Sequence, residues 1–215
     1  MSHDFSVTAS RLLVDAPVIA LRKDTLTMPD GGCADREIIE HFGAVAVVAL
    51  DEDNRLIMVE QYRHSVQQRL LELPAGLLDV AGEDELVAAQ RELGEEASLA
   101  AQDWGVLVDL VTSPGFAEEA VRIFIARGLS QVDRPEPEHE EADMQSRWLE
   151  LFAARDAVLR GEIVNGIAVA GILAAANVVE NNTDARPATE PFTLRPTALA
   201  ERRTRQGVVP DMKRI

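Results

Sequence analysis

The 215-residue sequence predicts an α/β fold, and three observations carry that prediction. Residues 5–63 are built of short β-type runs separated by turn signals. Residues 83–98 place Leu86, Ala89, Leu93 and Ala97 at helical spacing. Two more helical stretches, 152–159 and 165–179, follow a further pair of β-type runs.

Taken in order, residues 5–42 read as short strands broken by turns such as Met28-Pro29-Asp30-Gly31-Gly32. "GAVAVVALDEDNRLIMVEQYR" shows two apolar runs joined by the polar Asp51-Glu52-Asp53-Asn54, a hairpin pattern. "WGVLVDLVTSPG" and "AVRIFIARGL" read as strands with a loop at 113–119 between them. The helix at 165–179 is apolar on most sides and is expected to be largely buried. No repeat period appears. After about residue 181 the composition turns to Asn, Thr, Pro and charge. The segment from Arg195 onward holds six Lys or Arg against two acids, a local +4 on a remainder of −20. That tail is expected to pack against the acidic body.

A net charge of −16 argues against nucleic acid as the main partner, because phosphate backbones are met with clustered Lys and Arg. It leaves small phosphorylated ligands open, since one metal ion reverses the field in a cleft. The single cysteine, Cys33, excludes an internal disulfide and fits a reducing compartment. The start lacks the pattern of a signal peptide, and no apolar run approaches the ~20 residues that span a bilayer. A soluble cytoplasmic protein without a membrane partner is expected.

The carboxylates of the 83–98 helix are the feature that asks for chemistry. Glu92 and Glu96 stand four residues apart and Glu95 three from Glu92, so all three project to one side and repel. They lie in the second half of the helix, where its dipole disfavours acids. Asp84 and Glu85 suit the first turn. A solvated acidic face is one reading; a hard divalent cation that converts repulsion into binding is the other. Four scattered histidines and one cysteine give no competing zinc pattern, and GxxxxGK[ST] and GxGxxG are absent.

Gly76, Glu83 and Arg91-Glu92-Leu93-Gly94-Glu95-Glu96-Ala97-Ser98-Leu99 resemble the Nudix box, Gly-x5-Glu-x7-Arg-Glu-apolar-x-Glu-Glu-x-Gly-apolar. Six residues separate Gly76 from Glu83 where the box has five, and Ser98 stands where it has glycine. "EQYR" at 60–63, "LELPAG", "SPGFAEE" at 113–119 and "GEIVN" at 161–165 resemble the ADP-ribose pyrophosphatase branch of Nudix hydrolases, especially its actinobacterial members. The resemblance spans roughly residues 10–180. It implies a Nudix α/β/α sandwich with a mixed sheet, preceded by a small N-terminal antiparallel β domain. The implied division is 1–42 for dimerisation, 43–180 for the hydrolase domain and 181–215 for the basic tail.

The resemblance also implies roles. Glu92, Glu95, Glu96 and the Ala75 carbonyl would hold Mg²⁺, with Mn²⁺ as a substitute, while Glu83 and Arg91 would pair to shape the loop. Arg63 would meet phosphate, although at a strand end it also reads as a surface charge. Gly115, Phe116 and Glu119 would surround the ribose-phosphate, and Arg36 and Glu37 would reach the site from the partner of a homodimer with exchanged N-terminal strands. The general base would sit in "DRPEPEHEEADMQ": Glu141, which would also approach the metal, then Glu140, with His139 a weaker alternative. The implied reaction is ADP-ribose plus water giving AMP and ribose 5-phosphate. A dinucleotide or sugar-nucleotide hydrolase and a non-catalytic Nudix-fold sensor are the rival readings.

Overall fold

In the computed structural model, residues 4–133 and 143–213 are described. Three antiparallel strands come first, β1 (Val7–Asp15), β2 (Ala20–Thr27) and β3 (Cys33–Glu40), ordered β1-β2-β3. The turn between the last two closes by Met28 N–H donating to the Gly32 carbonyl, with Gly31 at φ +83°. This is the left-handed conformation that glycine adopts without steric cost.

β4 (Ala44–Ala49) is buried along its whole length and belongs to the central sheet. β5 (Arg55–Arg63), β6 (Gln68–Glu72) and β7 (Ala75–Leu77) lead into α1 (Glu85–Ala97). The short β8 (Leu99–Ala100) precedes β9 (Asp103–Val111), β10 (Ala120–Arg127) and β11 (Ser130–Gln131). β12 (Gln145–Glu150) runs directly into α2 (Leu151–Leu159), then α3 (Gly166–Asn181), β13 (Arg186–Pro187) and α4 (Ala198–Arg205). The central sheet has the order β13-β9-β10-β4-β7 and is mixed: β10 runs parallel to β4, and the other pairs are antiparallel. Among the described residues no helix is long and apolar enough to cross a membrane.

Alternation along β4 builds the sandwich. Ala46, Val48 and Leu50 join one core with Leu151, Ala168 and Ile172 of α2 and α3. Val45, Val47 and Ala49 join a second core with Ala88, Ala89 and Leu93 of α1. A strand buried on both faces needs apolar residues at every position, which is how this run reads. Gly171 lets α3 approach closely, for a Cβ there would stand 2.7 Å from Leu73 Cδ1.

The expected 44–63 hairpin does not form. The Asp51–Asn54 turn is present, with Asp51 N–H donating to the Arg55 carbonyl and a single bridge at Leu50–Leu56. Beyond it the strands part: β4 takes β10 and β7 as neighbours, while β5 pairs with β12 and β6 in a separate three-stranded sheet. Pairing with β10 and β7 satisfies the β4 backbone on its two edges, while the helices α1 and α3 cover its two faces.

The basic tail packs on the acidic body. β13 adds to the edge of β9, Leu199 and Met212 bury with Ala20 and Phe42, and fully buried Arg203 pairs with Asp15 at 2.5 Å. Arg195 meets Glu85 at 2.8 Å, and Lys213 meets Asp79 at 2.8 Å.

Candidate active site

α1 begins where Asp84, in an extended conformation, accepts a hydrogen bond from Leu86 N–H. It ends on Ser98 at φ 56°, ψ 36°, whose N–H reaches the Gly94 and Leu93 carbonyls. The glycine of the box is thus replaced by a serine that still adopts the left-handed cap. The extra residue before Glu83 is absorbed in the loop. There Gly82 takes φ +77°, and Arg91 grips Glu83 through two hydrogen bonds of 3.0 and 3.1 Å. This ion pair ties the loop to the helix, as the resemblance implied.

Two of the three helix carboxylates, Glu92 and Glu96, face β7. Glu92 lies against Gly76 so closely that a Cβ at Gly76 would fall 1.9 Å from Glu92 Oε1. Glu96 accepts a 2.9 Å hydrogen bond from Ala75 N–H. Val47 N–H donates to the Pro74 carbonyl and Leu78 N–H to the Gly43 carbonyl, so in this antiparallel register the peptide groups of Ala75 turn away from β4. Arg91 Nη1 lies 2.6 Å from Glu92 and 3.0 Å from Glu95. Burial pushes the Glu92 carboxyl above its usual range; Arg91 opposes this, and the Glu95 and Asp79 charges reinforce it. The Arg91 guanidinium is held above its usual range, first by the Glu83 hydrogen bonds.

Among the described residues no three His, Cys, Asp or Glu side chains are arranged as a ready cage for an ion. Guanidinium nitrogen meets the charge instead. The donor chemistry nevertheless fits a hard divalent cation. It offers carboxylate oxygens on one helical turn, one of them desolvated with its charged form penalised, and seated where a Cβ at Gly76 would collide with it.

A cleft of about 480 Å³ opens beside β7, lined by His41, Arg63, Glu72, Ala75, Gly76 and Glu119 among others. Arg63 makes a two-point pair with buried Glu72, 2.9 Å to Oε1 and 2.7 Å to Oε2. Glu119 accepts from the Thr112 hydroxyl. Arg36 lies elsewhere: with Gly115 and Phe116 it lines a second hollow, where Ile39 N–H donates to the Phe116 carbonyl at 2.7 Å. Glu37 is exposed on β3 and lines neither hollow. Glu140, Glu141 and His139 lie outside the described residues. Sequence reading missed Glu72 and His41. The acid just before "LPAG" and the histidine just before the buried β4 were the available signals.

The NUDIX domain model matches residues 40–165. An ADP-ribose pyrophosphatase of Mycobacterium tuberculosis is 52% identical over 201 residues, covering 94% of this chain and 97% of that protein. A methanol dehydrogenase activator of Bacillus methanolicus is 43% identical over 114 residues, 53% of this chain and 61% of that one. A solved ADP compounds hydrolase shares the fold at TM-score 0.70 and 20% identity, covering 84% of this chain and 96% of its own. The layered mixed sheet, the Arg91–Glu83 clasp and these matches agree: the chain belongs to the Nudix family.

Proposed function

We propose that this protein is a divalent-metal-dependent pyrophosphatase converting ADP-ribose and water to AMP and ribose 5-phosphate. Mg²⁺ is its metal, Mn²⁺ a working substitute, and the cytoplasm its compartment. The observation that carries the reading is the buried Glu92 carboxylate seated on Gly76 beside Glu95 and Glu96. The 52% identity with an ADP-ribose pyrophosphatase along nearly the whole of both chains supports the substrate.

Glu92, Glu95, Glu96 and the Ala75 carbonyl would hold the metal. When bound, it neutralises the diphosphate and lowers the proton affinity of an attacking water. Arg63, stretched across the cleft by Glu72, presents its planar guanidinium to phosphate oxygens. Glu119 takes the ribose side. Glu141, or Glu140 beside it, accepts the water's proton, a role that rests on the sequence resemblance alone. One P–O bond to the bridging oxygen breaks and one to the water oxygen forms.

The proposed assembly is a homodimer with exchanged N-terminal strands, in which residues 1–42 serve dimerisation and residues 43–180 the chemistry. Its support is the exposure of Val7, Leu12, Leu13 and Val14 on the first sheet, and the placement of Arg36 and Glu37 away from their own cleft.

A second reading, a ligand sensor without turnover, draws on Arg91 Nη1 lying within 3.0 Å of both Glu92 and Glu95. One panel separates the two. ADP-ribose, a dinucleotide, sugar nucleotides and nucleoside triphosphates are offered with Mg²⁺ or Mn²⁺, to wild type and to Glu96→Gln. Metal-dependent release of AMP from ADP-ribose, lost in Glu96→Gln while its melting temperature holds, is the expected result. Preferred turnover of another diphosphate replaces the substrate, and binding without turnover of any replaces the enzyme with a sensor.

A further inference from the structure

His41 is a nearly buried titratable group in the cleft that the proposed chemistry does not use. It follows β3 and precedes β4, so it is held by backbone at both ends. Gly43 N–H donates to His41 Nδ1 at 3.1 Å. A backbone N–H has no acceptor capacity, so Nδ1 carries the lone pair and, in the neutral ring, Nε2 carries the hydrogen. Burial pushes the imidazole below its usual pKa, and the Glu119 and Glu118 charges only partly offset this. The ring is therefore a neutral donor at pH 7.

That donor faces Glu119 Oε1 at 3.6 Å. The separation is too long for a hydrogen bond, so the two groups do not satisfy each other. Oε2 of Glu119 already accepts from Thr112. The cleft thus presents one N–H donor and one carboxylate acceptor side by side. A hydroxyl is the group that fits such a pair, because it donates and accepts at once.

We propose that His41 and Glu119 together read one hydroxyl of the substrate's terminal sugar, with His41 Nε2–H donating to the hydroxyl oxygen and Glu119 accepting its proton in a hydrogen bond. His41 is then a specificity-determining residue, and the ligand class is a nucleoside diphosphate bearing a polyhydroxylated sugar. The inference rests on the placement of Glu119 on the ribose side.

The test uses full-length enzyme and two variants. His41→Asn keeps an acceptor near Nδ1 for Gly43 N–H and removes the donor at Nε2. His41→Gln keeps a donor near Nε2. Kinetics are measured on ADP-ribose, on ADP-ribose analogues lacking one hydroxyl of the terminal ribose, and on ADP-ribose with Glu119→Gln and the His41→Asn/Glu119→Gln double variant. KM for ADP-ribose should rise about tenfold in His41→Asn, the scale of one lost hydrogen bond, with kcat within about threefold. His41→Gln should recover most of it. One deoxy analogue should show the same KM in wild type and His41→Asn, and the double variant should be no worse than the poorer single.

Equal losses on every analogue would assign His41 a merely structural role and overturn the proposal. So would an unchanged KM in His41→Asn, or additive losses in the double variant. If wild type turns over ADP-ribose but Glu119→Gln leaves KM unchanged, the placement of Glu119 has failed and this inference with it. If wild type does not hydrolyse ADP-ribose at all, the proposed function has failed first.

Discussion

Two residues of the box show how single backbone positions govern the site. Ser98 caps α1 at φ 56°, a conformation that strains an L side chain through its Cβ. Ser98→Gly should stabilise the protein by about 0.5–1 kcal/mol, the relief of that strain less the extra freedom glycine brings to the unfolded chain. At this chain length the gain is a rise of about 2 °C in melting temperature, read by calorimetry. A lower melting temperature would mean that the serine's own contacts outweigh the backbone term. Gly76 works by absence of a side chain. Gly76→Ala puts a Cβ 1.9 Å from Glu92 Oε1, so the carboxylate must leave its seat. Metal-dependent turnover should fall about 10–100-fold, the scale seen when a ligand loses its support, while far-ultraviolet circular dichroism stays unchanged. Turnover within twofold of wild type would unseat Glu92 as a ligand.

At the scale of elements, the β9–β10 pair is locked by charge as well as by its ladder. Arg122, 1% exposed, donates twice to Asp109, at 2.8 and 3.0 Å, and reaches the Glu190 and Pro191 carbonyls beyond. Arg186 of β13 adds a third bond to the same carboxylate at 3.0 Å. Burial pulls the Asp109 carboxyl upward, but the hydrogen bonds from Arg122 and Arg186 win and hold it below its usual pKa. A carboxylate with a depressed folded pKa stabilises the fold above its unfolded value of 3.8. That stability is lost as pH falls through the folded value, because the unfolded chain takes the proton first. Asp109→Asn should cost about 2–3 kcal/mol at neutral pH, leaving a buried guanidinium short of its carboxylate. Its penalty should shrink as wild type is titrated below pH 3.8, measured by denaturant unfolding. A pH-independent penalty would place the cost in packing instead.

Over the whole molecule, the first sheet carries apolar surface that stays exposed among the described residues, with Val7 54% and Val14 51% exposed. Wild type should sediment as a dimer at micromolar concentration. Val14→Glu should shift it to monomer with loss of turnover and little change in far-ultraviolet circular dichroism. A wild-type monomer would remove the proposed contribution of Arg36 and Glu37. Deleting residues 1–42 is the poorer test. It also removes Ala20 and Phe42 from the core shared with Leu199 and Met212, and Asp15 from buried Arg203.

The sequence alone determined β1–β5, β9 and β10, the three main helices and the box, because each rests on local rules, whereas the short β6, β7 and β12 carry no pattern of their own. Helical spacing at 83–98, alternation with all-apolar β4, and charge placed against the helix dipole are visible without a partner segment. Only tertiary structure decided what distant residues do for one another. It parted β4 from β5, since a strand buried on both faces was claimed by β10 some seventy residues on. It turned the polar tail into β13 and α4 and paired Arg195, Arg202, Arg203 and Lys213 of that tail with Glu85, Glu40, Asp15 and Asp79, acids scattered along the first half of the chain. It set Glu72 behind Arg63 and His41 opposite Glu119. A lone acid or histidine carries no sequence pattern, and its meaning comes from the group across the cleft.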